Sequence, residues 1–184
     1  MRRALLVVLA AVLVLIAAPL QPLAAAQDEG TQPWGTWIWQ TWLGPEVSMP
    51  ALLTLHQDGT VSVSDGVMFG GLPGSTSRMS PLHGVWERTG AKQIGGTSVW
   101  LIFDAPSGVL LAFGRSRTSL RLTQDGEALE GEMFLEMLPC NGPLGCPDPV
   151  DPAAQWLPYP NLPPSGFLAV SAKRLHRVPT PPTP

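Results

Sequence analysis

Glycine and proline punctuate this chain so closely that long helices have no room to form. Of its 184 residues 19 are Gly and 21 are Pro; beyond the N-terminal leader, the longest stretches free of both are the 12 residues Phe167 to Val178 and the 11 residues Arg115 to Asp125. Inside a helix, proline costs about 3 kcal/mol and glycine about 1 kcal/mol relative to alanine. Helix bundles, coiled coils and doubly wound α/β folds repeat longer helical segments and are excluded. What remains is an all-β chain of short segments.

The leader carries an address. Arg2 and Arg3 precede an uncharged apolar run of 15 residues, Ala4 to Ala18, followed by Pro19, Pro22 and Ala24-Ala25-Ala26. A positive start, an apolar centre and a small-residue site together make a signal peptide over residues 1–26, cleaved after Ala26. The alternative is an uncleaved anchor, but spanning a bilayer takes about 20 apolar residues. No Cys follows the run to carry an N-terminal lipid, and the two arginines lack the polar context of a twin-arginine signal. A Sec-type route and a secreted or extracytoplasmic location are expected, with residues 27–32 a flexible N-terminus and no integral membrane segment in the mature chain. Cleavage removes two of eleven basic residues and leaves nine against fourteen acidic ones. Nucleic acid, which requires clustered positive charge, is not an expected partner.

In an oxidising compartment two closely spaced cysteines among turn residues, Cys140 and Cys146, read as one disulfide. Zinc is the competing reading and would need two more ligands; His56, His83 and His176 lie in no metal-type spacing, so no metal and no cofactor are expected.

Composition divides the mature chain. Trp34 to Leu138 alternates in short segments between Gly and Asp-Gly turns, whereas Pro139 to Pro184 holds 13 of the 21 prolines. Eight strands are predicted, over 34–43, 50–57, 60–64, 83–89, 93–104, 108–123, 128–138 and 167–176. A proline-rich excursion at 147–166 precedes the last strand, and 177–184 is a disordered proline-rich tail. Such an excursion can serve as a binding arm; a solvated connector is the plainer reading. Short links make sequential strands antiparallel neighbours. A two-residue turn at Asp125-Gly126 sets Leu122 against Leu129, Thr118 against Met133 and Ser116 against Leu135, with Arg121 facing Glu130 and Arg115 facing Glu136 on the other, wet side. At Asp58-Gly59 the apolar match instead favours a three-residue loop, Gln57 to Gly59, with Gly59 left-handed. One-sided strands in a single meander bury their apolar face by closing into a barrel or by folding onto a second sheet.

Gly35-Thr36-Trp37 on the first strand resembles the G-x-W motif of the lipocalin and wider calycin group. Eight sequential antiparallel strands and a secretory leader fit that group as well. The resemblance implies an up-and-down barrel over 33–176 in which Trp37 closes one end beneath a basic residue from the last strand, and Arg174 has the matching parity. G-x-W recurs at Gly84-Val85-Trp86. The chain departs from true lipocalins where the proline excursion stands in place of an amphipathic helix, and it is more similar to small secreted bacterial proteins with a lipocalin-like barrel.

Catalytic constellations are thin. The three histidines read as surface residues, no G-x-S-x-G elbow occurs, and Glu130, Glu132 and Glu136 point outward against arginines. The expectation is therefore a non-enzymatic barrel that binds a small apolar molecule. Trp39, Ser116, Met133 and Leu135 would line its cavity, and Met68 and Phe69 in the long link 65–82 would form its gate. Gly114, Ser116 and Gly131 either leave room for a ligand or accept rings from the opposite wall. A filled barrel acting as an inhibitor or protein-interaction module through its loops and arm is the alternative, and a small cyclase or isomerase is a third reading.

Overall fold

The computed structural model describes residues 32–43, 48–66, 76–141, 145–160 and 162–176. The predicted leader 1–26, residues 27–31, the proposed gate residues Met68 and Phe69 and the tail 177–184 lie outside them. All regular structure among the described residues is strand: β1 (Gly35–Trp42), β2 (Ser48–Leu55), β3 (Thr60–Asp65), β4 (Ser77–Met79), β5 (Leu82–Arg88), β6 (Gln93–Asp104), β7 (Leu110–Leu122), β8 (Ala128–Pro139), β9 (Leu157–Pro158) and β10 (Phe167–Arg174). Eight of these form an antiparallel ring in chain order, β1-β2-β3-β5-β6-β7-β8-β10, closed where β10 pairs with both β8 and β1. Closure gives every one-sided strand a common interior.

The turns set the registers. At β2–β3, Leu55 faces Val61 and Leu53 faces Val63. His56 N–H bonds to Thr60 O, and Gly59 takes the left-handed conformation (φ 84°) that the three-residue loop requires. At β7–β8, Leu122 faces Leu129 and Arg115 faces Glu136. That register is the predicted one, but the turn is wider than two residues: Thr123 N–H bonds to Ala128 O around Gln124 to Glu127. Asp58 and Asp125 each accept hydrogen bonds from neighbouring N–H and hydroxyl groups, Thr60 on Asp58 and Glu127 and Thr123 on Asp125. These bonds hold both carboxyls below the usual range, the hydroxyl contact being the largest cause in each.

Two short strands escaped the sequence reading. The link predicted to run from Asp65 to Leu82 is strand again at β4, which pairs with β6 beyond β5. Pro81, having no N–H, interrupts the ladder between β4 and β5; the Ser80 hydroxyl accepts the N–H of Leu101 and bridges the gap. β9 lies within the proline excursion and pairs with Glu136 and Met137 of β8. At this stretch the excursion returns to the barrel and pairs with its sheet, while Leu157 and Pro158 stay exposed.

Candidate functional site

The interior has two unlike ends. At the first, where β1 begins and β10 finishes, Trp37 is fully buried among Leu53, Leu122, Leu129 and Ala172. Its indole N–H bonds to Pro33 O at 3.0 Å. The Arg174 guanidinium lies 4.3 Å over the ring and donates to three backbone carbonyls, those of Gly126, Trp34 and Gln32, at 3.0, 3.1 and 2.5 Å. Arg88 adds a bond to the Gln32 side chain at 2.8 Å. One cation thus ties together the N-terminal segment, the β7–β8 turn and the last strand over a tryptophan floor.

Toward the other end the barrel is hollow. A cavity of about 280 Å³ runs between the walls. The residues proposed for it from sequence, Trp39, Ser116, Met133 and Leu135, all lie on its wall. Alternation explains the grouping: Trp39 and Thr41 of β1, Ala51 and Leu53 of β2, and Ser98 and Trp100 of β6 face inward together. Asp65 and Met79, which flank the segment carrying Met68 and Phe69, are also on the wall. Trp42, on the opposite parity, is exposed with Ile38.

Sequence reasoning missed other contributors. Tyr159, Pro160 and Leu162 of the proline excursion line the cavity, and Tyr159 N–H bonds to Leu135 O. Burial pushes the Tyr159 hydroxyl above its ordinary pKa. Trp86 closes one side and donates to His56 O at 2.9 Å. Trp100 was not singled out, yet its indole fills the space left by Gly114, its partner across β6–β7. A Cβ on Gly114 would stand 2.0 Å from that ring. The small residue accepts a ring, as one of the two expectations held, but from the adjacent strand rather than the opposite wall. Gly131 has a different reason: a Cβ there would meet the Ser119 carbonyl at 2.0 Å, so it permits close approach of the β7 backbone.

Outside the barrel the excursion is fastened by charge. Trp156 lies under the Arg115 guanidinium at 4.2 Å. Glu136 accepts from Arg115 Nε at 2.9 Å and Arg117 Nε at 3.0 Å. Only 7% of Glu136 is exposed, which corrects the solvated-face reading for this residue. The register did place it on the outer side, where Arg115 and Arg117 close on it and Trp156 of the arm stacks on Arg115.

Cys140 and Cys146 are joined as a disulfide, which removes both thiolates from metal chemistry. Among the described residues no cluster could hold a metal ion, and no helix is long and apolar enough to cross a membrane. The three histidines are exposed: His56 contacts Ser62, His176 pairs with Glu127, and His83 faces outward on β5. The carboxylate on the cavity wall is Asp65, where β3 ends. No protein-family model, curated protein or solved structure matches the chain.

Proposed function

We propose that this closed eight-stranded barrel, of lipocalin-like architecture, is an extracytoplasmic binding protein that holds a small, mainly apolar molecule without transforming it. The observation that carries the reading is the cavity of about 280 Å³ walled largely by Trp, Leu, Val and Met side chains. Filling it with an apolar guest offsets the loss of packing that an empty interior entails. At about 30 Å³ per water-sized group it has room for on the order of ten non-hydrogen atoms. The disulfide and the leader-like N-terminus support the extracytoplasmic location. Membership in the calycin group rests on the Gly35-Thr36-Trp37 motif together with Arg174 above Trp37. The arm, with Tyr159 and Leu162 on the cavity wall and Trp156 held by Arg115, supports a wall-building role over that of a free interaction arm.

Intrinsic tryptophan fluorescence of the purified protein, titrated with short apolar molecules, is the direct test. Saturable quenching or a blue shift is expected for wild type. Ala51→Phe, which places a ring in the cavity from the β2 wall, should abolish the response while leaving thermal stability equal or higher, as filling a cavity does. A wild type that responds to none of the molecules, or an Ala51→Phe protein that binds as well as wild type, would reject the cavity as the binding site.

A further inference from the structure

Among the described residues, four hydroxyl side chains of the barrel strands reach the cavity wall, and two of them are already committed. Thr41 Oγ1 accepts the Trp39 indole N–H at 2.8 Å, and Thr118 Oγ1 donates to Gly96 O at 3.4 Å. Ser98 and Ser116 differ. They face each other across β6–β7 and are only 7% and 3% exposed, yet neither Oγ has a hydrogen-bond partner among the described residues. Alternation turns both inward, onto the wall. Trp100 Nε1 is unpartnered and sealed off, whereas these two unpartnered oxygens are open to the cavity.

The register explains why the pair stays open. On one side along the two strands the Trp100 ring covers Gly114, and on the other Thr118 bonds back to Gly96. Across the sheet the flanking residues are Gly84 of β5 and Leu135 of β8, neither with a polar side chain. The serines are thus an isolated polar pair in an apolar wall. Directly opposed Cβ atoms on antiparallel strands lie about 4.5–5.5 Å apart, so a single oxygen set between the two hydroxyls is within hydrogen-bonding reach of both. Charge limits what that oxygen belongs to. Among the described lining residues there is no Arg, Lys or His, and the single charged side chain is the Asp65 carboxylate where β3 ends. A carboxylate or phosphate drawn to the pair would be desolvated with no cation to compensate it. A hydroxyl group meets no such penalty, and like each serine it both donates and accepts.

Resting on the binding reading above, we infer that the ligand is an uncharged alcohol whose hydroxyl oxygen lies between Ser98 Oγ and Ser116 Oγ, accepting from one and donating to the other, with its hydrocarbon part against the apolar wall. Four probes of matched length test it: 1-heptanol, 2-heptanone, heptane and heptanoate, titrated by tryptophan fluorescence into the wild type and into the double variant Ser98→Ala/Ser116→Ala. Loss of two hydrogen bonds should weaken 1-heptanol about tenfold in the variant and leave heptane within about twofold. The ketone accepts but cannot donate, and should lose about threefold. Heptanoate at neutral pH should bind the wild type at least about fivefold more weakly than 1-heptanol. A crystal structure of the wild-type complex with 1-heptanol should place the ligand oxygen within hydrogen-bond distance of both seryl oxygens. Equal losses for 1-heptanol and heptane, or a hydroxyl lodged elsewhere in the cavity, overturn the inference while the binding reading stands. Equal losses for alcohol and ketone overturn the assignment to an alcohol, and heptanoate binding as tightly as 1-heptanol overturns the requirement for an uncharged group. If none of the four probes enters, the binding reading fails and takes this inference with it. The wild-type complex decides the matter even if the double variant folds poorly.

Discussion

Trp37 and Trp100 are both buried indoles on inward-facing strand positions, and the barrel treats them in opposite ways. Trp37 has a carbonyl for its N–H, a guanidinium on its face and a tight shell of aliphatic neighbours. Trp100 packs in a smaller cluster with Ile102 and Ala112, beside open volume and with its N–H unpaired. The first end of the barrel spends its polar groups on holding the chain together, whereas the second keeps a buried indole donor without an acceptor beside a cavity whose wall includes Ser98 and Ser116. A closed floor gives a barrel its stability, and the imperfectly packed upper half is where the proposed binding would take place.

This contrast can be broken by experiment. The largest effect is expected for Trp37→Ala, which empties a fully buried site and should lower stability by about 3–5 kcal/mol in urea denaturation. Arg174→Ala removes a cation–π contact and three hydrogen bonds to carbonyls and should cost about 2–4 kcal/mol by the same measurement. A smaller cost than for an exposed lysine variant such as Lys173→Ala would show that Arg174 is not the tie described. The paired substitution to phenylalanine is more discriminating. Trp37→Phe orphans the Pro33 carbonyl and should cost about 1–3 kcal/mol, whereas Trp100→Phe removes an already orphaned donor and should cost less than about 1 kcal/mol. Equal costs would erase the distinction between the two ends.

The smallest effect concerns acid. Asp58, Asp104 and Asp125 have pKa values below the unfolded one because neighbouring hydroxyl and N–H groups donate to them in the turns. A carboxyl depressed by folding contributes stability that is present above its unfolded pKa and is lost as pH falls through the folded one. Stability should thus decline below about pH 4, and replacing all three by Asn should flatten that decline without altering the contrast between the ends. Thermal melts between pH 2 and pH 7 measure it.

How much of this was legible depended on sequence distance. The β7–β8 register followed from apolar and charged residues a few positions either side of Asp125-Gly126, and the β2–β3 loop from the match of Leu53 and Leu55 to Val63 and Val61. Four cavity residues followed from the same alternation. The arm was opaque because proline destroys the period that reports a strand: β9 is two residues long, and its pairing with Glu136 depends on a return from beyond the disulfide. The burial of Glu136 was hidden for the same reason, since parity shows which way a side chain points and not what later covers it. Trp100 and Gly114 were each visible, but their complementarity appeared only once the β6–β7 register paired them.

The ring closes through β10, and that has a consequence for how the molecule comes into being. Arg174 bonds to Trp34 across a separation of 140 residues, and β1 has no second neighbour until β10 is present. A chain lacking its last strand would carry two unpaired edges, on β1 and β8, each a template for association with another molecule. Completion of the barrel therefore waits for its C-terminal strand, and the contacts it must make are among the longest-range and slowest to form. Truncation just before Phe167 should be read out as aggregation rather than as a smaller, weaker barrel.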